Sequence, residues 1–198
     1  DLNRGVGSFK RIVEGLEVAF RNDIPLRINC VLTRNNIDDV EWLLDFGSQY
    51  DAHVGFTIPA QCSGVNAMGD MILSDQENRE VHKRILELKR SGRKVTLSEG
   101  SINHILKYPK SFSELVYRGE ANARELSKEE CPYGRYIVFI DAEGSVYPCT
   151  TLWESPHIFK PLNIFKDGWE AALRNAQNLP CWICYCAGGP EWNEMSSF

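Results

Sequence analysis

The chain carries seven cysteines, and five of them lie from residue 131 onward: Cys131, Cys149, Cys181, Cys184 and Cys186. Thiolates brought to one point hold soft metals, either Zn²⁺ or an iron–sulfur cluster, because both accept sulfur ligands in tetrahedral array. A disulfide framework is the rival use of cysteine, but such frameworks belong mainly to small secreted chains. An odd count and the run Cys181-x-x-Cys184-x-Cys186 fit metal ligation better. Ligand chemistry leaves zinc and iron–sulfur open, although the step from Cys131 to Cys149 is wider than the usual zinc pair. Cys186 is one thiol beyond a complete set of four: it either replaces Cys184 as a ligand or stays free. Cys30 falls in a strand pattern and reads as a core thiol, whereas Cys62, in a glycine-containing loop, is ambiguous.

Little else in the chain has the spacing of a reactive site. His53, His82, His104 and His157 show no metal-ligand spacing, and Gly5-x-Gly7 is too short for a phosphate-binding loop. An open-sheet α/β enzyme would need such a loop after its first strand. Glu99 ends a possible strand and could reach the mouth of a barrel, with surface exposure as the default. Trp153, Trp169, Trp182 and Trp192 crowd the cysteine region, where shielding a cluster and ordinary packing explain them equally.

The elements that must position the thiols fall into two halves. Ser8 to Arg21 places Phe9, Ile12, Val13, Leu16 and Phe20 at helical spacing, with Ser8 as the expected cap. Leu26 to Thr33 alternates as a strand, Asn36 to Tyr50 is helical with Asn35 or Asn36 as cap, and His53 to Ile58 is a second strand. A third helix is expected from Ser74 or Asp75 to Ser91, then a short strand at Val95 to Leu97. Units of this size are the rhythm of βα repeats with a parallel sheet, open or closed. From Ser101 the pattern changes. Ile102 to Arg118 is irregular or helical, and Glu120 to Glu130 is linker-like. Tyr136–Ile140 and Ser145–Tyr147 flank Asp141-Ala142-Glu143-Gly144, a hairpin signal in which Gly144 supplies the left-handed turn position. Cys131 enters this hairpin and Cys149 leaves it. Asp167 to Asn178 is a short amphipathic helix, with Asp167 as cap and Trp169, Ala172 and Leu173 inward.

The composition is that of an ordinary globular chain, 43% hydrophobic and 25% charged. A net charge of −5 with no basic tract gives no reason to expect nucleic-acid binding. No apolar run reaches the roughly 18–20 residues of a membrane span. The opening residue, Asp1, stands in what reads as a loop, so the 198 residues are expected to be an excised piece.

Two segments together resemble radical S-adenosylmethionine (SAM) enzymes of the branch with a SPASM or twitch C-terminal extension. Asp1-Leu2-Asn3-Arg4-Gly5-Val6-Gly7-Ser8-Phe9 is similar to the loop after that family's fourth barrel strand, and Ile28-Asn29-Cys30-Val31-Leu32-Thr33-Arg34-Asn35-Asn36 to its fifth strand and exit. Cys131-x12-Gly144-x4-Cys149, followed by Cys181-x2-Cys184, resembles the twitch motif. The resemblance implies the C-terminal part of a partial (β/α)6 barrel over residues 1–118, then a small α+β twitch domain over 119–198. That domain would hold one auxiliary [4Fe–4S] cluster on Cys131, Cys149, Cys181 and either Cys184 or Cys186, relaying an electron or positioning substrate.

The family's Cys-x3-Cys-x2-Cys loop, which holds the SAM-cleaving cluster, does not occur in these residues. The piece alone is therefore expected to be inactive. The parent would be an oxidoreductase or transferase, with SAM and a catalytic [4Fe–4S] cluster generating a 5′-deoxyadenosyl radical that abstracts hydrogen from a peptide or small-molecule substrate. Arg4 is the expected SAM contact, since a guanidinium pairs a carboxylate bidentately, and Asn29 the expected lumen residue near SAM. A reductant such as flavodoxin or ferredoxin, a cytoplasmic location, and no nucleic-acid or membrane partner complete the implied picture. The alternative is a non-catalytic, zinc-stapled binding module.

Overall fold

The computed structural model describes residues 5–59, 69–127, 130–153 and 155–186. Its first half is built of βα units, as the hydrophobic rhythm predicts. Helix α1 (Ser8–Arg21) leads to strand β1 (Arg27–Val31), helix α2 (Val40–Ser48) and strand β2 (His53–Thr57). The two strands run parallel, in register from Arg27 opposite His53 to Val31 opposite Thr57. The strand expected at 95–97 is cut to a single parallel bridge between Val54 and Val95. Helices α3 (Asp75–Arg90) and α4 (Glu99–Lys107) follow. Leu32, Val54, Phe56, Ile85 and Ile102 fill the core between strands and helices.

Several local expectations are corrected. Gly7, at φ 80°, caps α1 without a side-chain bond, and Ser8 is the first helical residue instead. Phe9, Ile12 and Phe20 remain about half exposed; Phe9 makes ring contacts with Trp42 and Phe46 of α2, and Phe20 with Tyr50 just beyond its end. Asn36 does not cap with its side chain. Its amide group accepts from the Thr33 N–H at 2.8 Å and donates to the Val31 carbonyl at 3.0 Å, pinning the exit of β1.

Ser74 closes a full capping box on α3: its hydroxyl accepts from the Glu77 N–H and the Glu77 carboxylate accepts from the Ser74 N–H. The Arg34 guanidinium, forked onto the same carboxylate, and the bonds from Ser74 hold Glu77 down at about 2, against an ordinary 4.5. A depressed carboxylate contributes stability that is present above its unfolded pKa and lost as pH falls through the folded one. Acid titration should therefore erode this contribution between about pH 4.5 and 2. Glu77→Gln is expected to lower the melting temperature at pH 7 and leave it flatter across that window. An unchanged acid profile would contradict this role.

The second half carries two small antiparallel sheets. Strand β3 (Val116–Tyr117) pairs with β7 (Cys181–Ile183). Strands β4 (Phe139–Ile140), β5 (Ser145–Tyr147) and β6 (Leu162–Asn163) form the other, in that order. The expected hairpin is present, with Gly144 at φ 87°. The polar stretch 120–130 contains a one-turn helix, α5 (Ala123–Leu126). Helix α6 (Trp169–Gln177) rests Ala172 and Ala176 on Val146 of β5.

Asp167 does not cap α6, because Gly168 occupies that position. The Asp167 carboxylate instead accepts from the Asn163 N–H at 2.8 Å. Trp169 points outward and is 51% exposed. The core of this half also draws in Ile105, Tyr108, Phe112, Leu115 and Val116 from before residue 118, so the two halves are packed continuously. No helix among the described residues is long and apolar enough to cross a membrane.

Candidate metal centre

The second core encloses a cavity of about 40 Å³, more than the roughly 10–15 Å³ one water needs. Its wall includes all five thiols from Cys131 to Cys186, with Tyr133, Thr151, Leu115, Leu152 and Ile183. Three local structures bring the sulfurs there. Cys131 lies against β7, its N–H donating to the Trp182 carbonyl at 2.8 Å. Cys149 ends the hairpin and precedes a 3₁₀ turn at Thr150–Leu152. Cys181 opens β7, and Cys184 and Cys186 follow it. None of the described cysteines is in a disulfide.

Hydrogen-bond donors are aimed at two of these sulfurs. The Cys149 sulfur receives the N–H groups of Leu152 and Thr151 and the Thr151 hydroxyl, while the Cys131 sulfur receives the Tyr133 N–H. Donors so placed stabilise negative sulfur and tune a bound metal group. Burial outweighs these donors and the nearby Arg118 guanidinium, so the shift of the Cys131 thiol is upward. Burial pushes Cys131 up to about 12, with the charges of Cys149 and Cys186 adding to it. Burial also raises Cys149. A hydrogen bond with Cys186, then burial, raises Cys184. Burial raises the Tyr133 phenol to about 12, followed by repulsion from Cys186, Cys131, Cys149 and Cys184. A metal centre inverts this logic, since a coordinating thiol is deprotonated outright. Among the described residues no three His, Cys, Asp or Glu side chains close into the shell of one metal ion.

Two contacts tie this wall to the first half. The His104 ring approaches the Cys184 carbonyl at 2.7 Å through Nε2, which must carry the proton because a carbonyl only accepts. The Tyr185 hydroxyl donates to the Pro59 carbonyl at 2.9 Å. Sequence reasoning passed over His104, Tyr133 and Thr151. His104 gave no signal because its partner is a backbone group 80 residues away. The Thr150–Thr151 pair after Cys149 was the one available hint, since a cysteine entering a tight turn faces the next N–H groups.

The other expected site residues stand apart from the thiols. Asn29, on β1, is exposed and donates from Nδ2 to the Thr57 hydroxyl at 3.3 Å. Cys30 is half-buried against the first core, and burial, then Asp39, raises its thiol. Glu99 is the first residue of α4 and pairs with Arg90 at 2.7 Å. His82 is fully buried, its Nδ1 2.7 Å from the Asn78 carbonyl, and burial lowers its pKa. Trp182 is half-buried and its indole N–H donates to the Ser127 carbonyl, while Trp153 is 45% exposed. Arg4, Cys62 and Trp192 lie outside the described residues.

No family model matches the chain. The chain is similar to the AdoMet-dependent heme synthase of Methanosarcina barkeri (strain Fusaro / DSM 804), with 25% identity over 210 residues. The alignment covers 92% of this chain and 55% of that protein, so the chain spans about half the length of the curated relative it matches. The alignment thus runs along nearly all of this chain beside a protein named as dependent on AdoMet.

Proposed function

We propose that the chain is part of a radical SAM enzyme, with residues 1–118 contributing βα units of the barrel and 119–198 forming a twitch-like unit that holds an auxiliary [4Fe–4S] cluster. The observation that carries this reading is the gathering of five thiols on one buried cavity. Similarity to an AdoMet-dependent protein favours the same reading.

When bound, the auxiliary cluster would supply one-electron transfer beside a SAM-derived 5′-deoxyadenosyl radical that takes hydrogen from the substrate. The chain's own residues would do the rest. Cys131 and Cys149, with Cys184 and its neighbours, would ligate. The N–H groups of Tyr133, Thr151 and Leu152 would stabilise charge on sulfur. Leu115, Leu152 and Ile183 would keep water from the cavity. Asn29, on the exposed face of β1, and Arg4 remain the proposed SAM contacts. The name of the relative favours a small-molecule substrate over a peptide. Oxidoreductase or transferase chemistry, a small electron carrier as reductant, and a cytoplasmic setting belong to the same proposal.

After anaerobic reconstitution with iron and sulfide, Cys131→Ala and Cys149→Ala are each expected to lose roughly half or more of the bound iron and the visible charge-transfer absorbance. Variants that keep wild-type iron and spectrum would contradict the assignment.

A further inference from the structure

The backbone that carries the last cysteines outruns the ladder that fixes it. Strand β7 ends at Ile183, opposite Val116, so the Cys184 carbonyl lies beyond the β3–β7 pairing. Cys184 is buried, and a buried carbonyl needs a donor. The His104 ring supplies one at 2.7 Å, from helix α4 and 80 residues away in sequence.

We infer that His104 is a positioning residue for the metal centre, holding the Cys184 peptide so that the Cys184–Cys186 segment presents its sulfur to the cluster. This rests on the cluster reading above. His104 serves whichever of Cys184 and Cys186 ligates, because its bond fixes the backbone that both thiols hang from.

The ring is itself held in place. Tyr108, directly after the last residue of α4, contacts the His104 ring at 5.9 Å and meets the Tyr185 ring edge-on at 6.4 Å. Tyr108 is buried, and its hydroxyl donates to the Glu114 carbonyl at 2.8 Å. The Cys184–Tyr185 step is thus held at its carbonyl by His104 and at its next side chain by a buried aromatic group. Helix α4 can act as the fixed point because it is docked on both sides. It sends Ile102 into the first core and Ile105 into the second, and the Ser98 hydroxyl caps its start by accepting from the Ser101 N–H at 3.0 Å. Groups that orient metal ligands in this way are typically worth about 10–100-fold in metal affinity.

Two variants separate positioning from packing. His104→Phe keeps a ring against Tyr108 and removes the donor, whereas His104→Gln keeps a donor and removes the ring. After anaerobic reconstitution, the readouts are the rate of iron loss to a chelator and the electron paramagnetic resonance (EPR) spectrum of the reduced chain. Circular dichroism and urea unfolding of the apo forms check folding. His104→Phe is expected to lose iron at least about tenfold faster than wild type, with an altered EPR spectrum. His104→Gln is expected to stay close to the wild-type rate and spectrum. Packing alone would give the opposite order. His104→Leu, also without a donor, takes the place of the phenylalanine form if that one misfolds. The inference is overturned if the donor-free variant keeps iron and spectrum like wild type, or if His104→Gln fares no better than it. A wild-type chain that takes up no iron rejects the cluster reading itself, a failure seen before any variant is compared.

Discussion

Phe112→Ala is expected to destabilise the protein by about 3–5 kcal/mol, the usual cost of emptying a buried aromatic site. Phe112 is fully buried between the two halves. Its ring stacks on Tyr108 at 6.1 Å, meets Tyr185 edge-on at 5.3 Å, and lies 4.9 Å beneath the Arg79 guanidinium. Its N–H donates to Asp75 at the start of α3. Tyr185 stands between Cys184 and Cys186, so the cavity left by the missing ring adjoins the thiol wall. Urea unfolding should show the loss as a lower midpoint, accompanied by weaker metal retention. A loss below about 1 kcal/mol would mean that the ring is not a packing centre.

Gly134→Ala is expected to cost about 2–4 kcal/mol, from left-handed backbone and overpacking together. Gly134 lies in the turn just after Cys131 at φ 81°, and a Cβ there would meet the Ala176 carbonyl oxygen of α6 at 2.5 Å. The neighbour is helix backbone and has little room to yield. Gly92 is the control: it has φ 91° with nothing within 4 Å, so Gly92→Ala should cost only about 1 kcal/mol. Equal losses at the two positions would show that the close approach to α6 carries no weight.

How much of this fold could be read from the residues depended on element length. The helices over 8–21 and 75–90 and the strands around 28–31 and 53–57 carry enough periodic positions to declare themselves. The hairpin declared itself through Gly144. Strands β3 and β6 are two residues each, too short for alternation to show. The partner of β3 lies more than 60 residues on, where no local signal reaches. That pairing, together with the Cys131–Trp182 backbone bond, closes the thiol wall. Spacing therefore suggested that the cysteines meet without indicating how. Asp167 read as a helix cap because its type suits one, yet the β6 turn claims its carboxylate. Trp169 read as inward because the helix pattern makes no distinction between a buried face and its rim.

The most direct measurement is the iron, acid-labile sulfide and zinc content of the wild-type chain after anaerobic reconstitution. About four irons and four sulfides per chain with negligible zinc is the result expected of a single [4Fe–4S] site. One tightly held zinc without sulfide would contradict the account and make the cysteine unit a structural knuckle.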